Sequence, residues 1–309
     1  INQQDYRDPF RSGINKYQSP ENMFEFWHER GRLEQQTMWA DGMHYSAAQT
    51  IGSDGGGNNG IHLQPSRDFQ GNVYQFASGL GNPFEKYAKC DYRVIPFHTT
   101  DAKGGYEGFF LQGAQMKYDE SKQYGFTDEN VNGSEEWMGF PLVFVDQVGR
   151  FSEDKSLNAD NKKQVLLDAA ARGGYFICND ADVATKGSQV TTGEENSGFR
   201  FNKFPYLPDH DGLFRSQSTP EMRLSEMYYS LAECYYREGN KVKAAELLDY
   251  VRVRNYPAEE WPKYSYVANP DKLTDAELLD EWGREFIGER RRRIDLIRWN
   301  KFHEEWWNK

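Results

Sequence analysis

The sequence predicts a mainly α fold with irregular loops and a few short strands, an α+β chain built on a tetratricopeptide-like helical scaffold. Three observations lead there. One helical-hairpin repeat runs from Tyr228 to Pro257, a capped helix follows it near the carboxyl end, and the first two thirds of the chain consists of Gly-, Pro- and Asp-rich connections broken by short aromatic strands. In the repeat, Tyr228 takes the Trp place of the tetratricopeptide pattern, Leu231-Ala232 the Leu-Gly pair and Tyr235 the Tyr place. Gly239 breaks the helix, Ala244 and Leu248 take the Ala-x3-Phe places, and Pro257 closes the unit. A hairpin of this kind buries its apolar face only by stacking on neighbours, and the sequence holds no second copy.

The elements follow in order. Residues 1–20, with Pro9, Gly13 and Pro20, read as an irregular lead-in. In 20–27, Phe24 and Phe26 alternate with Glu25, which predicts a short half-buried strand. Residues 31–83 are mostly loop, rich in Gly and Asn over 53–60; a loop this long is either functional or disordered, and its aromatics favour function. Strand-like pieces occupy 84–120, and the β-branched and aromatic run 140–151 is the best strand candidate. A short helix is expected over 160–172 before Gly173-Gly174, and 179–220 is another long connection. Met222, Leu224, Met227, Tyr228, Leu231 and Tyr235 fall near the 3.6 period and predict a helix over 221–238, ended by Gly239-Asn240. A helix over 241–254 follows. The last helix opens at Thr274 in a capping box with Glu277 and is expected to run through Leu278, Trp282, Phe286, Ile294 and Ile297 to about Lys301. The chain thus divides into a loop-rich, strand-containing part (1–220) and a helical part (221–309), with no break in composition sharp enough to make them independent domains.

Composition excludes several function classes. The net charge of −11 disfavours a nucleic-acid partner. No run of 18 apolar residues offers a membrane span. Mean hydropathy is low at −0.89, while 20 Phe, 19 Tyr and 8 Trp supply apolar area, the last two with a polar handle. Three cysteines are too few for a disulfide framework, and Cys234, inside the repeat helix, reads as a small core residue.

The chemical motifs are weak. Gly55-x-Gly57-x-x-Gly60 follows no buried strand and Pro65 forbids a long helix after it, so no dinucleotide site is expected. The run Glu289 to Arg293 reads as a charge-laced helix face with Glu289–Arg293 and Arg291–Asp295 ion pairs. Asp180 with Asp182 and Asp209 with Asp211 leave room for incidental calcium binding but lack an EF-hand's Gly and closing Glu. No cofactor and no zinc site are expected. For glycoside hydrolysis, Glu135 and Glu136 before Trp137 and Asp41 near Trp39 are the best candidates, but spacing does not single out a catalytic pair.

Several segments, in order, resemble the SusD/RagB family of outer-membrane nutrient-binding lipoproteins. Glu21-Asn22-Met23-Phe24-Glu25-Phe26 resembles its first strand, Pro65-Ser66-Arg67-Asp68-Phe69 its loop turn, and Cys90-Asp91-Tyr92-Arg93 its Asp-Pro-Arg step with Tyr in place of Pro. The segment from Ser197 to Phe204 is similar to its Gly…Lys stretch, Arg223 to Glu233 to its Arg-Leu-Ala-Glu helix, and Glu285 to Trp299 to its closing motif. The resemblance implies a non-catalytic protein that captures oligosaccharides, or in some members peptides, on the extracellular face of the outer membrane. It also implies a lipid anchor in the full-length protein, delivery to a SusC-like TonB-dependent transporter, and that this chain is the C-terminal portion, with the N-terminal helices absent. On that expectation 1–220 carries the ligand. Sugar capture needs aromatic faces and amide or carboxylate groups, which selects Trp39, Tyr45 and Tyr74 as platforms, Asp54, Asn58 and Asn59 as hydroxyl partners, and Trp137 as a second platform. No family motif marks these positions. A glycoside hydrolase and a purely structural module of a transporter complex are the alternatives.

Overall fold

In a computed structural model, the structure describes residues 8–11, 18–27, 35–36, 86–94, 109–111, 113–114, 116–119, 125–130, 143–144, 146–148, 175–177, 200–201, 203, 214–215 and 218–302. The helix expected over 160–172 lies outside them. The described part is mostly helical, joined to small antiparallel pairings. The strands are β1 (Asn22–Phe26), β2 (Gln35–Gln36), β3 (Phe110–Leu111), β4 (Gly113–Ala114), β5 (Met116–Asp119), β6 (Gly125–Asn130), β7 (Val143–Phe144), β8 (Asp146–Val148), β9 (Tyr175–Ile177), β10 (Arg200–Phe201), β11 (Phe214–Arg215) and β12 (Thr219–Arg223). They pair two by two: β1–β12, β2–β11, β3–β10, β4–β7 and β5–β6 antiparallel, and β8–β9 parallel. The run 140–151 therefore supplies two short strands, which serve different pairings.

The helices are α1 (Leu224–Arg237), α2 (Lys241–Arg252), α3 (Trp261–Tyr264), α4 (Asp275–Glu285) and α5 (Arg292–Arg298). α1 and α2 form the expected hairpin. Gly239 adopts φ +83° at the turn with open space around it, so glycine is there for its conformation. Asn240 Oδ1 then accepts the Lys243 N–H at 3.1 Å and caps α2. Thr274 Oγ1 accepts the Glu277 N–H at 3.2 Å, as the capping box predicts. Tyr229 and Ala232 of α1, Ala244, Ala245, Leu248 and Val251 of α2, and Leu278 and Trp282 of α4 with Phe286 meet in one core. At its centre Tyr229 stands edge-on to Trp282 and Phe286, with ring centroids 5.4 and 5.5 Å away.

Four expectations are corrected. The helix expected from 221 begins at Leu224, because residues 219–223 are drawn into β12 opposite β1 and Arg223 keeps extended backbone. Phe24 and Phe26 are each 51% exposed; the segment is held by buried Glu21 instead. Cys234 is exposed, since α1 turns Tyr229, Ala232 and Glu233 inward. The last helix is two helices. Gly288 (φ 76°) and Arg290 (φ 61°) turn the chain between α4 and α5, and Ile294 and Ile297 end up exposed.

Arg290 holds a left-handed conformation that costs an L-residue roughly 1–2 kcal/mol, and it is exposed. Arg290→Gly removes that strain and returns part of it as unfolded-state entropy. The variant is expected to be more stable by about 0.5–1 kcal/mol, read as a higher urea midpoint at unchanged m value.

Candidate functional site

Below the core aromatics lies a buried set of charges contributed by segments far apart in sequence. Glu21, 3% exposed and placed just before β1, accepts from Arg223 Nη1 (3.0 Å), Arg254 Nη1 (2.5 Å) and the Ser225 hydroxyl (2.6 Å). Glu285, at the end of α4, accepts from Arg223 and Arg254 (both 3.1 Å) and from Arg93 (3.2 Å). Arg93 also lies on Asp91, donating through Nη2 at 2.7 Å and Nε at 3.0 Å. Glu281 accepts from Tyr229 (2.7 Å) and Arg284 (2.8 Å) and lies 3.2 Å from Arg252 Nε. Glu289 accepts twice from Arg223, both at 2.8 Å, and from the Lys203 ammonium. Lys203 also donates to the Glu285 carbonyl (2.6 Å) and sits 4.8 and 4.7 Å from the ring centroids of Phe10 and Phe109.

This corrects the reading of the closing motif. Arg291–Asp295 does approach, at 3.8 Å, but Glu289 turns inward to Arg223 and Lys203 instead of pairing with Arg293. Buried guanidinium groups need carboxylates to offset their desolvation, and the break between α4 and α5 is what lets Glu289 reach them.

The electrostatics follow from the same geometry. Burial works to raise the Glu21 carboxyl, yet Arg254 and Arg223 overcome it and hold it at about 2. Glu281 and Glu285 are buried too and are likewise pulled down, Glu281 by Arg284, Arg252 and Arg93, Glu285 by Arg254, Arg223 and Arg93. Burial brings the Lys203 ammonium down to about 8 against the upward pull of Glu289. A carboxylate held ionised in this way has no proton to give at neutral pH, and its oxygens already accept from protein donors. The network therefore binds protein to protein: it clamps residues 8–11, 18–27, 86–94, 109 and 203 onto the helices.

Beside it lies a cavity of about 250 Å³ between residues 86–88 and the helical part. The sequence-predicted ligand residues Trp39, Tyr45, Asp54, Asn58, Asn59, Tyr74 and Trp137 lie outside the described residues. So do Asp41, Glu135, Glu136, the glycines from Gly55 to Gly60, and Asp180, Asp182, Asp209 and Asp211. Among the described residues, no helix is long and apolar enough to cross a membrane.

Sequence reasoning assigned no buried partner to the charged residues inside the quoted motifs. Glu21, Asp91, Arg93, Lys203, Arg223, Glu285 and Glu289 each belong to one of those segments, and all meet in the network.

The model of the SusD family matches residues 11–309. The starch-binding protein SusD of Bacteroides thetaiotaomicron is 34% identical over 160 residues, which cover 52% of this chain and 26% of that protein. Among solved structures, a SusD superfamily protein from Bacteroides fragilis aligns over 96% of this chain and 43% of its own, with a TM-score of 0.41 and 14% identity. The alignments thus span between about a quarter and under half of those two relatives' lengths. Since the family match runs from residue 11 to the last residue and takes in every anchoring charge of the buried network, the chain belongs to the SusD family.

Proposed function

We propose that the protein binds oligosaccharide or polysaccharide without catalysis at the extracellular face of the outer membrane and passes it to a SusC-like TonB-dependent transporter. The observation that carries this reading is the family match over residues 11–309, with a starch-binding protein among the relatives. The buried carboxylates support it, because each is committed to arginine rather than poised for acid–base work. Residues 1–220 then bear the ligand and 221–309 the scaffold. A tetratricopeptide-like role for the hairpin is supported by its outer face, where Leu231, Val242 and Tyr250 are exposed and Tyr228 stacks on Tyr250 at 4.8 Å. Such a face suits a neighbouring helical pair.

Loop aromatics Trp39, Tyr45, Tyr74 and Trp137 serve in this reading as stacking platforms for C–H-rich sugar faces, with Asp54, Asn58 and Asn59 as hydroxyl partners. Affinity electrophoresis on gels containing a panel of polysaccharides tests it. The protein is expected to be retarded by at least one glycan and to release no reducing sugar. Trp39→Ala is expected to weaken retardation severalfold while leaving the melting temperature nearly unchanged. Unaltered retardation removes that residue from the site, and absence of retardation across the panel removes the glycan-binding reading.

A further inference from the structure

The cavity beside the buried network has aromatic walls, formed by Tyr87, Tyr256, Tyr264 and Tyr266. Tyr256 and Tyr264 stack at 4.8 Å with planes 13° apart, and Trp261 leans on Tyr256 at 5.6 Å. Its charged lining is mostly cationic: Lys86, Arg252, Lys272 and Arg284 face a single carboxylate, Glu277. Three of these cations are already answered. Lys86 bonds Asp280 at 2.6 Å, Arg252 bonds Asp249 at 2.8 Å, and Arg284 bonds Glu281 at 2.8 Å and also Glu277. Lys272 differs. Its ammonium donates to the Lys263 carbonyl at 2.6 Å, and among the described residues no carboxylate pairs with it.

Tyr256 supplies the second uncommitted group. It is 6% exposed and lines the cavity, and its hydroxyl makes no hydrogen bond among the described residues. Burial pushes its phenol up to about 12, so it remains a neutral donor. Its neighbours Tyr87 and Tyr266 are satisfied, donating to the Arg284 carbonyl (2.8 Å) and to Glu277 (2.5 Å). Among the described residues, an exposed lysine with no carboxylate partner and a tyrosine hydroxyl with no hydrogen bond therefore share a cavity whose walls are flat rings. Its volume suits one six-membered ring, below the roughly 300–1,000 Å³ of pockets that enclose drug-sized ligands.

We infer that this cavity takes a single carboxylated sugar ring, a hexuronic acid residue, with Lys272 receiving the carboxylate, Tyr256 donating to an oxygen of the ligand, and the tyrosine rings meeting its C–H face. That the ligand is a sugar rests on the glycan-binding reading above; that it carries an acid rests on the cavity's own charges.

Saturation-transfer NMR and calorimetry on the whole 309-residue chain test this, with glucuronate, galacturonate, glucose and acetate as separate ligands. Uronate is expected to bind at least about tenfold more tightly than glucose or acetate, a difference of 1.4 kcal/mol. Lys272→Met is expected to abolish that preference, and Tyr256→Phe to weaken uronate binding severalfold with the ring stack and melting temperature kept. Equal binding of uronate and glucose, or of uronate and acetate, overturns the inference, as does uronate binding that survives in both variants. The polysaccharide gels separate the two readings. Retardation without uronate binding sinks the cavity assignment alone, whereas uronate binding without retardation on any gel sinks the glycan-capture reading and leaves the cavity as an acid-sugar site.

Discussion

Glu285→Ala is expected to destabilise the protein by about 3–5 kcal/mol, the usual cost of removing one partner from a buried ion pair. The Glu285 side chain lies within 3.2 Å of Arg93, Arg223 and Arg254. All three are essentially without solvent contact. Its loss strands three guanidinium groups with fewer carboxylates to offset their desolvation. Against a typical total stability of roughly 5–15 kcal/mol this is a large fraction, so Glu285→Ala should unfold at a much lower urea midpoint, followed by far-UV circular dichroism. Glu285→Gln keeps acceptor capacity and volume but loses the charge, and its midpoint should fall between alanine and wild type. Lys243→Ala breaks an exposed pair with Glu246 (2.8 Å) and is the control, with no measurable shift expected. Should Glu285→Gln and Lys243→Ala both match wild type, the network does not hold the strand segments to the helices.

What the sequence makes legible here is whatever acts within a few residues. Gly239, Asn240 and Thr274 each do their work inside one turn, so the hairpin and the start of α4 can be read from residue type and spacing alone. The strand at β1 is legible as a strand, but its partner β12 lies some 200 residues away and takes the first residues of the expected helix with it. The turn between α4 and α5 escapes periodicity for a related reason. Trp282, Phe286, Ile294 and Ile297 continue the apolar spacing straight through Gly288, and nothing local reveals that Glu289 is needed by Arg223, 66 positions earlier. Sequence spacing offers Glu289 only neighbours three or four residues off, so it reads as a solvated ion pair. The cavity is hidden in the same way, because Lys86 and Tyr87 reach Tyr256 and Arg284 only after folding. The candidate ligand residues, from Trp39 to Trp137, stand out by composition and not by spacing, and they lie outside the described residues.

Acid should undo the same network, and the sign can be worked out group by group. A carboxyl held below its unfolded value contributes stability that is fully present above the unfolded pKa and is lost as pH falls through the folded pKa. Glu21 moves from 4.5 to about 2, a displacement worth about 3 kcal/mol at 1.36 kcal/mol per pH unit. It is lost between about pH 5, where the unfolded chain begins to take up protons, and pH 2. Glu281 and Glu285 are displaced in the same direction and steepen the fall over that window and below it. Thermal melts from pH 7 to pH 2.5 should therefore show a plateau down to about pH 5 and then a steep drop. Glu21→Gln supplies the discriminating comparison. It should be less stable than wild type at pH 7, because Arg223 and Arg254 lose a carboxylate, yet lose less stability on acidification, because the group that takes up the proton is gone. The two curves should converge toward pH 2.5. Parallel curves would mean that the acid sensitivity comes from elsewhere in the chain and that Glu21 is not held ionised by its arginines.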